Sequence, residues 1–363
     1  AAFTLTTFKA DGSILATSNG VCIGVDGVAV SPWKPFIGAD KAVVVDAKGQ
    51  KHDVMYLLGA DEIYDMAKFK VSGKTSAAPL ATNVSAGEEL WIAPMAKSGS
   101  PLKASASSVE TFMGKYHYTI LNSPATDKLN GAPVCNAKGQ VIGLFSLSGS
   151  LQSATDAGYA RNFVLKGLSQ NDATLRQSAI RIGLPDTAEE AVVALMLSSE
   201  KPESVHEAVV KDFMEKFPQA NDGYYAWANR MIAKGDIAEA DKTLQTAIGK
   251  VTAKDEAFYN YARLIYQNAL NPSLEAKTKS VGWTLDKALE VIRKAQEVRP
   301  VDAYRHLQAQ IVFAKGDFAK AYAEFEALTK TKFNNPELYL EMAQSRQHLG
   351  ASDQEILDLL NKS

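Results

Sequence analysis

The stretch Lys128-Leu129-Asn130-Gly131-Ala132-Pro133-Val134-Cys135-Asn136-Ala137-Lys138-Gly139-Gln140-Val141-Ile142-Gly143 carries the features that indicate how the first half of the chain folds. A glycine-containing turn leads into a short apolar segment, and the turn Asn-Ala-Lys-Gly then leads into a second one. Apolar runs of this length on both sides of turn residues predict a β-hairpin.

Similar short runs continue through residues 1 to about 165. They alternate polar and apolar residues or are rich in β-branched ones, polar turns separate them, and no segment of helical period interrupts them. The runs are 3–8, 20–24, 28–31, 41–45, 89–93, 104–112, 116–121 and 141–147. Many short strands joined by polar turns predict a sandwich or closed barrels.

Length and composition limit the classes of protein that need to be considered. The 363 residues suffice for two or more domains. The net charge of -2, without a concentrated basic block, makes nucleic acid an unexpected partner. No apolar run approaches the roughly 20 residues that span a bilayer. The five histidines show no metal-ligand spacing, so neither a metal nor another cofactor is expected.

The order of these segments resembles that of HtrA-like and related bacterial trypsin-like serine peptidases. Their nucleophile loop reads Gly-x-Ser-Gly-Gly-Pro, and here Asn130 stands at the nucleophile position. Residues 20–31 resemble the family's segment before the catalytic histidine, which puts Lys34 at the histidine position. Residues 59–71 resemble the strand with the orienting aspartate, which is Asp65 here. The resemblance implies a double β-barrel over residues 1–170.

The residues at these positions do not support triad chemistry. The triad needs a hydroxyl nucleophile, an imidazole that accepts its proton and a carboxylate that orients the imidazole. An Asn130 amide is no such nucleophile, and the amine of Lys34 is ordinarily charged. We therefore expect an inactive domain in which Asp65 forms a salt bridge with Lys34, and we expect removal of Lys34 to destabilise the domain.

The oxyanion loop, residues Lys128, Leu129 and Gly131 around Asn130, is altered as well. The family places glycine two residues before the nucleophile so that backbone amides face the developing charge. Lys128 occupies that position, and Ala132 replaces the second glycine after the nucleophile. Side chains resist the backbone conformation that the glycine permits.

Other residues could in principle replace the nucleophile or the base. Nearby hydroxyl and thiol groups are those of Ser31, Ser123, Thr126 and Cys135, and none has a base beside it in the sequence. His117 is interpreted as a surface or half-buried strand residue. The resemblance implies that the strands of Cys22 and Cys135 lie near each other, so the two cysteines are either small core residues or a disulfide.

The hydrophobic period changes to a helical one from about residue 172. Residues 171–200 are predicted to be a connector with one helix, which Thr187 caps, with Glu190 three residues later. Residues 201–363 are predicted to be helical repeats. Gly235, Gly316 and Gly350 each precede a new helix, the last two being 34 residues apart. Small residues recur in the first helices at Ala228, Ala262, Ala309 and Ala343.

A 34-residue helix–turn–helix unit with these small residues resembles the tetratricopeptide repeat. We expect about three to four helix pairs, with an insertion near residues 268–282. By the register of that family, the first helices would line a concave groove for a peptide or protein. The residues expected to project there are Tyr225, Asn229, Tyr259, Arg263, His306 and Gln310. The alternative is that these are ordinary solvated positions of a scaffold.

The expected fold is therefore multidomain, with an all-β double barrel followed by an all-α repeat domain. The expected function is that of a non-catalytic binding or scaffolding protein, which recognises peptides or proteins through the cleft between the barrels, the helical groove or both. In the barrels, Tyr159 and Ala160 resemble the family's segment that pairs with the substrate backbone. The resemblance also implies an exported protein whose signal peptide has been removed.

Two alternatives to this function stay open. One is a trypsin-like hydrolase that uses a different nucleophile or base. The other is a structural platform, in which the barrels bind nothing and only the helical groove binds partners.

Overall fold

A computed structural model of the chain describes residues 1–93 and 99–363. The chain divides into two compact units, Ala1–Val209 and Val210–Ser363. The first unit contains β-strands and the second contains α-helices. The fold class expected from the sequence, a double β-barrel followed by an all-α helical domain, is confirmed.

The first barrel consists of six strands in the order β1-β2-β3-β6-β5-β4, and pairing of β1 with β4 closes it. Burial alternates along β1, so that Phe3 and Leu5 point into the barrel, as expected for a strand with one buried face. The strands are β1 (Ala2–Phe8), β2 (Ile14–Cys22), β3 (Val28–Ser31), β4 (Lys41–Asp46), β5 (Lys51–Asp61) and β6 (Met66–Val71).

The second barrel repeats the topology of the first. Its order β10-β11-β12-β9-β8-β7, read from β7, corresponds strand for strand to that of the first barrel. The predicted hairpin is confirmed as β10 and β11, which pair antiparallel. The strands are β7 (Glu89–Ile92), β8 (Leu102–Phe112), β9 (Tyr116–Asn122), β10 (Pro133–Cys135), β11 (Val141–Ser148) and β12 (Leu151–Thr155).

Residues 171–200, which the sequence analysis assigned to a connector, belong to the first unit. They contain helix α1 (Ala188–Ser198), which begins where Thr187 accepts a hydrogen bond from the Glu190 amide. Before α1, the side chains of Leu175, Ile180 and Ile182 pack into the core of the first barrel. The stretch therefore contributes to the barrel as well as connecting it.

The helices of the second half pack mainly with their neighbours in sequence. Helix α5 packs against α7, and the short α6 lies in the expected insertion between them. The division between the units falls within α2. The helices are α2 (Glu203–Lys216), α3 (Asn221–Ala233), α4 (Ile237–Lys250), α5 (Lys254–Ala269), α6 (Glu275–Ser280), α7 (Leu285–Val298), α8 (Asp302–Ala314), α9 (Phe318–Thr329), α10 (Pro336–His348) and α11 (Asp353–Leu360).

The small residues and glycines that indicated a repeat occupy equivalent places. Ala228, Ala262, Ala309 and Ala343 are all buried, where a larger side chain would keep paired helices apart. Gly235, Gly316 and Gly350 end the first helix of a pair with positive φ, a conformation that glycine adopts without strain. In the described ranges, none of the helices is long and apolar enough to cross a membrane.

Candidate functional site

Lys34 and Asp65, which the sequence analysis assigned to the histidine and aspartate positions of a degenerate triad, lie next to each other. Lys34 begins a single 3-10 turn (Lys34–Phe36) after β3, and Asp65 lies in the turn between β5 and β6 with a positive φ of 48°. Asp65 Oδ1 accepts a hydrogen bond from the Lys34 backbone amide at 2.8 Å. Lys34 Nζ lies 3.9 Å from Asp65 Oδ2, so the expected salt bridge is confirmed.

The salt bridge is the weaker of these two contacts. The Lys34 side chain is 75% exposed, so water screens its charge, whereas the backbone hydrogen bond is short and charge-assisted. The Asp65 carboxylate therefore acts chiefly as a cap for the backbone at Lys34.

Asn130, which the sequence analysis assigned to the nucleophile position, makes contacts with other residues. Its Oδ1 accepts a hydrogen bond from the backbone amide of Leu147 on β11 at 2.7 Å. Its carbonyl oxygen accepts hydrogen bonds from the backbone amide and the side chain of Asn19 on β2. In the described part of the chain, no hydrogen bond or ion pair joins Asn130 to Lys34 or Asp65. The three positions of the triad therefore separate into a pair and a single residue.

The backbone amides of residues 129–132, in and after the predicted oxyanion loop, are bonded within the protein. Residues Asp127–Leu129 form a 3-10 turn, and the Asn130 amide donates to the Asp127 carbonyl at 2.9 Å. The Leu129 amide donates to Thr126, the Gly131 amide to Phe145 and the Ala132 amide to Leu129, each at 2.8–3.0 Å. An oxyanion hole needs unbonded N–H groups directed at the developing charge. This loop keeps the amides of residues 129–132 engaged with carbonyls.

Gly131 and Asn19 hold this loop against β2. A Cβ at Gly131 would lie 2.1 Å from the Asn19 carbonyl oxygen and 2.7 Å from Pro32 Cδ, and the φ of 83° is unfavourable for other residues. Asn19 Nδ2 also donates to the Lys128 carbonyl at 3.1 Å. The glycine at position 131 thus has a packing reason that is independent of catalysis.

Of the alternative nucleophiles, the two serines are hydrogen-bonded within the protein, whereas Thr126 is exposed. Ser31 Oγ donates to the Pro32 carbonyl and Ser123 Oγ to Gln152 Oε1. Cys22 and Cys135 are free thiols, so the disulfide is not formed, and burial raises the pKa of each, which disfavours the reactive thiolate. His117, half-buried as expected, has Nε2 3.0 Å from the Thr82 carbonyl. Across residues 1–93 and 99–209, no serine, threonine or cysteine side chain is hydrogen-bonded to Lys34, His52 or His117.

One serine–histidine pair, which the sequence analysis missed, lies outside the barrels. Ser198 Oγ at the end of α1 is 2.7 Å from His206 Nδ1 on α2. Ser198 is completely buried, and its hydroxyl also lies 2.6 Å from the Leu195 carbonyl. A nucleophile must reach its substrate, so we interpret this contact as a structural link between two helices.

Tyr159 and Ala160 are buried in a 3-10 segment, Ala157–Asn162. Tyr159 packs edge to face against Tyr64, Phe112, Tyr116 and Phe163. Its hydroxyl donates to Asp61 Oδ2 at 2.7 Å, and burial together with this bond raises its pKa well above the ordinary value. These side chains are core residues between the barrels, and the segment is no extended strand edge.

The first four of the predicted groove residues lie on α3 and α5. Tyr225 and Tyr259 are half-buried, and Tyr259 stacks on Tyr304 with ring centroids 4.9 Å apart. Asn229 and Arg263 are exposed, and Arg263 forms no ion pair among the described residues. Arg263 is therefore a free cation on this face.

The last two predicted groove residues, His306 and Gln310 on α8, both contact Glu341 of α10. His306 Nε2 lies 2.6 Å from Glu341 Oε2, and Gln310 Nε2 donates to Glu341 Oε1 at 2.7 Å. Glu337 lies one turn before Glu341, and the possible ligand atoms of His306, Glu337 and Glu341 all lie within 4.8 Å of one another. Sequence reasoning missed this cluster, although the spacing of the two glutamates places them on one face of a helix.

Comparison of the chain with models of known protein families and with curated protein sequences finds no match.

Proposed function

We propose that the chain is a non-catalytic binding protein, made of a degenerate trypsin-like double barrel and tetratricopeptide-like repeats, which recognises peptides or proteins. The proposal that the protein is non-catalytic rests on the hydrogen bonds made by the predicted nucleophile loop. The Asn130 side chain accepts a hydrogen bond from the Leu147 amide and the Asn130 amide donates to the Asp127 carbonyl, so neither group is free to serve a reaction. Lys34 lies beside Asp65 with its amine exposed to water.

The binding part of the proposal is supported by the face that α3 and α5 present. Tyr225 on α3 and Tyr259 on α5 are half-buried, and Arg263, one turn after Tyr259, is exposed. Aromatic side chains and arginine are enriched where proteins bind each other, because they offer large contact areas and several hydrogen-bond donors. The preferred ligand is a peptide segment with an acidic group for Arg263 and apolar groups for the tyrosines.

The platform alternative is also favoured by one observation. Tyr159 and Ala160, the residues expected to pair with a bound strand, are buried in the core between the barrels. Strand addition requires an exposed edge with free backbone groups. The helical groove is therefore the preferred candidate binding site, and the cleft between the barrels is the second candidate.

The catalytic alternative is tested with a fluorophosphonate probe, which labels activated serines. We expect no labelling of the wild-type chain. We expect none in the double variant Lys34→His, Asn130→Ser either, because the loop amides stay bonded. Active trypsin is the positive control. Stoichiometric labelling of the wild type would contradict the proposal, and labelling of the double variant alone would show that the loop can still open.

The binding site is tested with peptides selected on the full-length chain from a random display library. We expect Arg263→Glu to weaken the selected peptides about tenfold or more, because it places a negative charge opposite an acidic group. Arg293→Glu, an exposed arginine on α7, is the matched control and should leave the affinity unchanged. Equal affinity in both variants would exclude the face of α3 and α5.

Export stays a prediction, which cell fractionation checks.

A further inference from the structure

We propose that His306, Glu337 and Glu341 form a site for a divalent transition-metal ion, with zinc as the preferred ion. The two glutamates lie one turn apart on α10, and the histidine reaches them from α8. Their possible ligand atoms lie within 4.8 Å of one another, which is close enough for a single ion to contact all three after small side-chain rotations.

The types of ligand favour this class of ion. An imidazole nitrogen and two carboxylate oxygens are typical of zinc and neighbouring first-row metals, whereas calcium and magnesium prefer oxygen ligands alone. Three protein ligands leave a coordination position open. Glu337 is exposed, so the open position would face solvent and could be filled by water or by a carboxylate of a bound ligand.

The cluster contains two carboxylates and one imidazole, so its acidic groups outnumber its basic ones. In the described ranges, His306 is the one group able to carry a positive charge that contacts Glu341, and Glu337 takes part in no ion pair. The side chains of His306 and Glu341 are only 11% and 13% exposed, so water solvates them poorly. Two carboxylates this close to each other repel, and that of Glu341 is largely buried, so a divalent ion would relieve both effects.

The surroundings hold the ligands in place. Gln310 donates to Glu341 Oε1 and thereby fixes the carboxylate, as residues around metal sites commonly do. The rings of Phe325 and Phe333 lie 6.0 and 5.3 Å from the imidazole, centroid to centroid, and limit its rotation. An ion bound here would join the first helices of two successive helix pairs.

A simpler explanation is that His306 and Glu341 form a hydrogen-bonded pair, since their atoms are 2.6 Å apart. That pair does not require Glu337. Replacement of Glu337 therefore separates the two explanations, because the residue is exposed and its loss should leave the metal-free fold intact.

The experiment is a titration of the full-length chain, stripped with a chelator and free of any affinity tag, with Zn²⁺ by calorimetry. We expect one equivalent to bind saturably, Glu337→Gln to weaken binding about tenfold or more, and His306→Gln to abolish it. Glu256→Gln, an exposed glutamate on α5, is the matched control and should leave binding unchanged. Co²⁺ in place of Zn²⁺ should give a visible absorption band that Glu337→Gln weakens.

Two results would overturn the site. One is the absence of saturable binding of Zn²⁺ and Co²⁺ to the wild type. The other is binding that Glu337→Gln leaves as tight as before, which would place the ion elsewhere and leave His306 and Glu341 as a hydrogen-bonded pair only. Circular dichroism of each metal-free variant checks that a loss of binding does not come from unfolding.

Discussion

The two oxygens of the Asp65 carboxylate make contacts of unequal strength, and this inequality decides what substitutions should do. Oδ1 accepts the Lys34 backbone amide at 2.8 Å, whereas Oδ2 lies 3.9 Å from an amine on a largely exposed side chain. A charge-assisted hydrogen bond stabilises a fold more than an exposed ion pair does. The backbone contact survives replacement of Lys34 but not replacement of Asp65.

We therefore predict that Asp65→Ala lowers the free energy of unfolding by about 1–3 kcal/mol. Lys34→Ala should change it by less than about 0.5 kcal/mol, in contrast to the expectation from sequence. Asp65→Asn is the control, because asparagine keeps an acceptor oxygen and tolerates the positive φ at this position. Urea unfolding measures all three. Equal destabilisation by Lys34→Ala and Asp65→Ala would show that the salt bridge is the more important contact.

Sequence reasoning found this pair but not the environment of Asn130. The partners of Asn130, Leu147 and Asn19, are distant in sequence and lie on strands whose register decides the contact. The residue type at a position is visible in the sequence, whereas the direction in which its side chain points is not. The same holds for His306 and Glu341, which are 35 residues apart and meet only because α8 and α10 pack near each other.

At the scale of elements, the regular strands and the helix turns were predictable, and the irregular elements were not. Strand β1 alternates cleanly, and the glycines at 235, 316 and 350 mark turns. Strand β5 was not predicted in full, because bulges after Val54 and Leu57 break the period of two. Leu175, Ile180 and Ile182 reach a barrel core from a stretch without any period, so no pattern indicates their burial.

Asp255 connects three helical elements and gives the stability of the repeats a pH dependence. At the start of α5, its Oδ2 accepts hydrogen bonds from Arg299, which follows α7, at 2.7 Å and from Tyr304 of α8 at 2.9 Å. Burial of the carboxyl raises its pKa, but these bonds outweigh burial and hold the pKa below the ordinary value of 3.8. Because the folded state binds the proton less readily than the unfolded chain does, folding is favoured where Asp255 is charged.

We predict that Asp255→Asn destabilises the helical unit by about 1–3 kcal/mol at neutral pH. The difference from the wild type should persist down to about pH 4 and shrink below it, as the wild-type carboxyl takes up a proton. Unfolding in urea at several pH values, followed by far-ultraviolet circular dichroism, gives the stability of the wild type and of the variant as a function of pH. Asp222→Asn, at an exposed position of α3, should show no such convergence. A constant difference down to pH 2 would contradict the prediction.

On the scale of the whole molecule, the chain has separate hydrophobic cores in its two units. Among the described residues, these clusters of the barrels use side chains up to Ile182, and these clusters of the helical unit use side chains from Met214 onward. Domains with their own cores commonly unfold as separate cooperative units. One variant in each unit can test this, provided that each variant acts through a local contact.

Gly131→Ala and Asp255→Asn are suitable variants. A Cβ at Gly131 would lie 2.1 Å from a backbone oxygen, and the φ is positive, so we expect about 2–5 kcal/mol of destabilisation. Gly139→Ala, with a similar φ and nothing within 4 Å, should cost only about 1–2 kcal/mol. Scanning calorimetry should resolve two transitions, of which Gly131→Ala lowers one and Asp255→Asn lowers the other by at least about 2 °C. A single transition that both variants shift would mean that the units unfold together, and the binding and metal experiments would then require stability controls from both halves of the chain.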